Sequence, residues 1–222
     1  MSDTTKEPVR PAESAAIELA ELYRVADEDV AAWTASSPYR CPAGCGICCT
    51  RHVPSITAPE AELVARYLLQ HSRELPSPTG ERDGCTACPF YNPDSDEHCT
   101  IYPVRPLICR LFGFAASGGR QDELRFKPCS HMPAGRSEPE RGQELDLLKS
   151  RFGAVPPRMS TYGVKVVQIA ASIDGATRES ILPAVARELG RIMLARQYGE
   201  QSMFGQKPDP DSGQFDPGRR VS

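Results

Sequence analysis

Cys41-Pro42-Ala43-Gly44-Cys45-Gly46-Ile47-Cys48-Cys49 places four cysteines within nine residues, and the reading of this stretch decides what kind of fold the chain adopts. Five more cysteines follow at Cys85, Cys88, Cys99, Cys109 and Cys129, so all nine lie between positions 41 and 129. The first 40 residues and the last 93 carry none. Small disulfide-stapled folds spread their cysteines over the whole chain. A thiol-dense middle with thiol-free flanks reads instead as a metal or cluster site, and the odd count argues against a closed disulfide set.

The spacing has a chemical meaning. Thiolates are soft ligands that suit zinc and iron–sulfur clusters. Cys45-Gly-Ile-Cys48 is a C-x-x-C, in which two sulfurs face one metal across a tight turn, and Gly46 leaves backbone N–H groups free to point at sulfur. Cys41 completes a three-sulfur claw if the segment coils. Cys48 and Cys49 are adjacent, and neighbouring side chains diverge on a helix or a strand. That pair therefore predicts two metals or one multi-metal cluster. Cys85-Thr-Ala-Cys88 is a second C-x-x-C, and Cys99, Cys109 and Cys129 follow. Eight thiolates around two zinc ions, or four around an oxidised 4Fe–4S cubane, leave net negative charge. Arg51, Arg105 and Arg110 read as counter-charges and N–H donors to sulfur. His98 and His131 are the histidines placed to replace a sulfur, whereas His52 and His71 are not expected to ligate.

Around this segment the chain is 222 residues long with a net charge of -3, a sequence pI near 5.9 and a mean hydropathy of -0.41. That balance does not suggest a nucleic-acid binder. No run approaches the roughly 20 apolar residues that span a membrane, and no secretory signal opens the sequence. The expectation is a cytoplasmic protein in a reducing compartment, where structural disulfides are rare. The 21 prolines predict a modest, loop-heavy core to which metal supplies folding free energy.

The expected organisation has five parts: a disordered N-terminus over 1–12, a helix over 13–37, a Cys-rich metal domain over 38–134, a helical region over 135–203 and a disordered tail over 204–222. Ile17, Leu19, Ala20, Tyr23, Ala31 and Trp33 give the first helix its apolar spacing, with an interruption expected near Ala26-Asp27. Thr57 reads as the N-cap of a second helix with Pro59 and Glu60 in its first turn. Residues 76–135 are expected to be irregular, with short strands or turns around 99–102 and 107–112. Residues 138–151 and 177–198 predict helices, and 160–173 fits strand or helix. The fold class is mainly α with an irregular, metal-stabilised Cys-rich core and little β.

Taken together, C-x3-C-G-x-C-C, then C-P-F, then C-x-I-Y-x-x-R-P-x-x-C-R-x-F and a late Cys resemble the YkgJ-like cysteine-cluster family (CxxCxxCC). Its members are described as zinc- or iron-chelating and are often labelled iron–sulfur cluster proteins. The resemblance covers roughly residues 38–132. It implies eight ligands, which fall here on Cys41, Cys45, Cys48, Cys49, Cys88, Cys99, Cys109 and Cys129. Cys85 is then the extra thiol.

The resulting expectation is a metal-binding protein carrying an iron–sulfur cluster or, alternatively, zinc. Electron transfer, metal handling or maturation of an unknown protein partner are the roles it suggests, with no nucleic acid and no membrane involved. The same resemblance extends to flagellin lysine N-methylases, which implies a cluster-dependent protein-modifying enzyme as an alternative. A purely structural zinc module is a third reading. No phosphate-binding or dinucleotide-binding glycine motif is present, and the sequence does not decide whether the protein is an enzyme.

Overall fold

In a computed structural model, the described residues are 12–77, 81–82, 85–95, 98–118, 123–135, 142–173 and 176–204. The expectations of disorder at 1–11 and 205–222 fall outside them. The chain divides into two units, residues 1–189 and 190–222. Among its described residues, the second unit consists of the later part of one helix, ending at Phe204.

The first unit is built on helices. α1 runs from Ala12 to Ser36, α2 from Ala58 to Gln70, α3 from Leu107 to Leu111, α4 from Leu145 to Phe152, α5 from Met159 to Ala171, and α6 starts at Ile181. The fold is mainly α, as the sequence predicts. α1 runs through Ala26-Asp27 without a break. Its buried stripe is Ala15, Leu19, Leu22, Tyr23 and Ala26, the i, i+4, i+7 spacing of one helix face. Ile17, expected on that face, is 67% exposed, because it lies on the opposite side of the helix from Leu19. The stripe packs with Leu107, Leu111 and Ala115 of and after α3 and with Tyr162, Val166 and Ile169 of α5.

α2 begins with the predicted capping box. The Thr57 N–H donates to Glu60 at 2.9 Å, and Pro59 sits in the first turn. Residues 160–173, legible as strand or helix, are helical within α5. The helix expected over 138–151 starts later, at Leu145, because Gln143 and Glu144 form a strand.

The β structure is small. β1 (Ser55–Ile56) pairs antiparallel with β7 (Glu179–Ser180), and β2 (Glu81–Arg82) with β3 (Cys85–Thr86). A three-stranded antiparallel sheet joins β4 (Ala116–Gly118), β5 (Leu124–Phe126) and β6 (Gln143–Glu144). This sheet was not expected in the irregular stretch. It carries a second core of Trp33, Tyr39, Phe126, Met132 and Leu148. The Trp33 ring lies 5.3 Å from Phe126, edge-on, and 5.9 Å from Tyr39, stacked, separations favoured by aromatic quadrupoles. The strands or turns expected around 99–102 and 107–112 are a 3-10 turn over Tyr102–Val104 and the helix α3.

Candidate metal centre

The cysteines are positioned by loops pinned between the two cores. Cys41 follows Tyr39 of the aromatic core, and a turn closed from the Cys45 N–H to the Pro42 carbonyl (3.1 Å) brings Cys45 back beside it. Cys48 and Cys49 sit on a 3-10 turn, Ile47–Thr50. Cys88 donates its N–H to the Cys49 carbonyl at 2.7 Å, which ties the second cysteine segment to the first. Cys99 lies opposite Tyr91 in an isolated antiparallel bridge. Cys109 is at the centre of α3. Cys129 follows β5 and packs against the aromatic core.

Gly46 has a φ of -103°, so backbone freedom does not explain it. A Cβ there would come within 2.5 Å of His98 Cβ and 2.7 Å of Tyr91 Cε2. The glycine is required because the Cys45–Cys49 loop presses against the 91–98 loop. Gly113 combines a φ of +75° with a Cβ position 2.9 Å from Cys129 Cβ. It lets the end of α3 meet the Cys129 loop.

These loops bring eight thiols onto one cavity of about 140 Å³, lined by Cys41, Cys45, Cys48, Cys49, Cys88, Cys99, Cys109 and Cys129. They are the eight that the family resemblance picks out. The side chain of the ninth, Cys85, lies outside the described residues. All eight are free thiols. Apolar side chains complete the lining, among them Ile47, Ile101, Phe112, Phe114 and Met132. A smaller adjoining cavity of about 20 Å³ touches Cys48, Cys49, Cys88, Cys109 and His52. His52, not expected to ligate, is exposed at its edge.

Among the described residues, no three His, Cys, Asp or Glu side chains form a preassembled site for a single ion. The thiols instead surround a volume. One water-sized sphere needs roughly 10–15 Å³ on this scale, so the space fits a group of several atoms better than one ion. The Sγ atoms of Cys48 and Cys49 are 3.9 Å apart. They lie close together although neighbouring side chains diverge on a regular helix or strand.

Electrostatics show what the cavity asks of a guest. Cys48 and Cys49 share an S–H···S bond, which pulls the Cys48 thiol down to about 6 and pushes Cys49 up. Burial pushes Cys41 up to about 12, with Cys45, Cys129 and Cys48 adding repulsion. Burial raises Cys88 to about 11. It raises Cys109 further, with Cys88, Cys99 and Cys48 as charged neighbours. Gathered thiolates in a half-buried cavity repel one another, and a cation is what lets them ionise together.

Of the flanking arginines, Arg110 and Arg51 are used differently from the expectation. Arg105 is a counter-charge: it opposes the rise at Cys109 and lies over the Tyr102 ring at 4.0 Å. Arg110 is buried, and its N–H groups donate to Asp27 of α1, to the Arg105 carbonyl at 2.9 Å and to the Pro103 carbonyl. Its guanidinium also lies 4.4 Å from the centre of the Tyr23 ring. It therefore holds the Cys109 segment in place. Arg51 is exposed and does not line the cavity. His98 directs a ring nitrogen at the Gly44 carbonyl, and His131 is exposed. Neither lines the cavity.

The positioning residues that sequence reading missed are Tyr23, Asp27 and Glu60. Glu60 is 1% exposed. It accepts from Tyr23 Oη at 2.8 Å and from the Leu107 N–H at 3.1 Å, so one carboxylate caps both α2 and α3. Asp27, at the expected helix interruption, is the acceptor for Arg110. An acidic residue on the face of α1 that also carries Tyr23 was the available signal.

Residues 40–132, under half of the chain, match the family model CxxCxxCC, described as "Putative zinc- or iron-chelating domain". The family resemblance read from the cysteine spacing is thus shown over that segment. No curated protein and no solved structure matches the chain.

Proposed function

We propose that this protein carries a polynuclear iron–sulfur centre held by Cys41, Cys45, Cys48, Cys49, Cys88, Cys99, Cys109 and Cys129, and that it works in electron transfer. The observation that carries this reading is the cavity of about 140 Å³ lined by eight thiols that converge on no single point. A closed structural zinc site is tetrahedral and compact, whereas a space of this size asks for several metal and bridging atoms. When bound, such a centre supplies one-electron exchange. The chain's own residues supply the thiolates, a largely apolar lining, and the Arg105 charge beside Cys109. Among the described residues no helix is long and apolar enough to cross a membrane.

The test is anaerobic purification of the full chain, followed by a visible spectrum and assays of iron, sulfide and zinc. The expected result is a brown protein with iron and sulfide in similar amounts. A colourless protein with stoichiometric zinc contradicts the reading.

A further inference from the structure

We propose that the eight thiols form two metal subsites joined along the vicinal pair Cys48-Cys49, one completed by Cys41, Cys45 and Cys129 and the other by Cys88, Cys99 and Cys109. This rests on the reading that the cavity holds metal. It adds which cysteine serves which part of it.

The division follows from how the walls are built. The first wall grows out of the aromatic core. Tyr39 and Cys129 both pack there with Trp33 and Phe126. Cys41 is two residues beyond Tyr39, and the turn from Cys45 N–H to Pro42 carbonyl holds Cys45 to it. The second wall has a different origin. Its Cys88 and Cys99 flank a tight loop closed by the Tyr91–Cys99 bridge and by the Thr100 N–H donating to the Phe90 carbonyl at 2.9 Å. Cys109 joins it from α3, anchored through Leu107 to Tyr23 and Glu60.

The vicinal pair lies between them. Cys49 is tied to the second wall by the 2.7 Å bond from the Cys88 N–H. The small adjoining cavity is lined by Cys48 and Cys49 together with Cys88 and Cys109, and by no thiol of the first wall. The larger cavity is lined by the pair together with the thiols of both walls, and the chain runs from Cys45 of the first wall directly into the pair through Gly46 and Ile47. Three sulfurs from either wall with one from the pair give each subsite the four thiolates that a cubane takes.

The experiment compares metal and sulfide content per chain in anaerobically purified full-length protein. The set is wild type, Cys129→Ser, Cys99→Ser, and the double variants Cys129→Ser/Cys99→Ser and Cys48→Ser/Cys49→Ser. Each single variant is expected to retain about half of the wild-type metal, and Cys129→Ser/Cys99→Ser together almost none. The Cys48→Ser/Cys49→Ser protein is also expected to be empty. Should either single variant lose its helical circular dichroism, Cys41→Ser or Cys88→Ser reads the same wall. If a single variant of each wall abolishes metal completely, or each retains it all, in a background where wild type is loaded, the two-subsite division is wrong. Wild-type protein without metal would instead overturn the proposed function itself.

Discussion

The helical scaffold and the cysteine loops are held together by different physics. α1, α3 and α5 bury a continuous apolar stripe, with Leu19, Leu111 and Val166 at 0% exposure, and Glu60 and Tyr23 knit their ends. The loops bearing Cys41, Cys45, Cys48 and Cys49 bury little, and Cys41 and Cys48 are exposed. They depend on close backbone approaches at Gly46 and Gly113 and on whatever relieves the repulsion among thiolates. One region is stable because it excludes water from carbon; the other gathers thiols whose mutual repulsion a bound cation would relieve.

Metal removal should break the comparison open most widely. Apparent binding free energies of structural zinc in small peptides reach about 10–16 kcal/mol. Chelation is therefore expected to erase amide hydrogen-exchange protection over residues 41–49 and 88–99 while α1, α2 and α5 keep theirs. Simultaneous loss across the helices would mean that the two regions are one cooperative unit.

Glu60→Ala strikes the joint between them. It strips the acceptor from the buried Tyr23 hydroxyl and the Thr57 N–H and one of two acceptors from the Leu107 N–H, and buried donors left unpaired cost about 1–3 kcal/mol each. A denaturant melt should show a loss of about 2–4 kcal/mol, and metal retention should fall because Leu107 starts the helix that carries Cys109. Glu60→Gln, which keeps an acceptor oxygen, should recover part of both.

Gly46→Ala acts on the loops alone. The added Cβ meets His98 and Tyr91, an overpacking worth about 1–3 kcal/mol. Metal content should drop while the helical melting transition moves little. Equal damage to both would contradict the division.

The smallest effect is in pH. In metal-free protein, Cys41, Cys49, Cys88 and Cys109 are raised above the ordinary thiol value of 9.0, chiefly by burial or, for Cys49, by its bond to Cys48. The unfolded chain releases those protons first, so stability is intact below about pH 9 and declines as pH rises toward 11 and 12. Cys48, lowered to about 6, acts in the opposite sense: its contribution is present above the ordinary thiol value and is lost as pH falls through 6. With four thiols against one, metal-free protein should lose stability between pH 9 and 11. Metal-loaded protein, its thiolates already ionised, should not. Thermal melts across that range in both forms check it.

Much of the helical scaffold was legible in the sequence because its signals are local. The Thr57–Glu60 box and the spacing of residues 159–171 lie within one or two turns. The sheet of β4, β5 and β6 was not legible, since its strands are two or three residues long and gain stability from Trp33 and Tyr39, far away in sequence. The cysteine spacing announced a metal site, and the resemblance named the eight thiols that the fold brings to one cavity. What the spacing did not carry was the role of Arg110. A basic residue beside a cysteine reads as a partner for sulfur, but here burial and Asp27 make it a brace. The closeness of the vicinal sulfurs was not legible either: adjacent side chains diverge on a regular helix or strand, yet the Cys48 and Cys49 Sγ atoms lie 3.9 Å apart.

X-ray absorption at the iron edge of anaerobically purified full-length protein tests the central claim most directly. A polynuclear thiolate centre predicts a sulfur-only first shell at about 2.3 Å, typical of metal–thiolate bonds, together with scattering from a second metal. A shell of nitrogen and oxygen ligands without metal–metal scattering would contradict it.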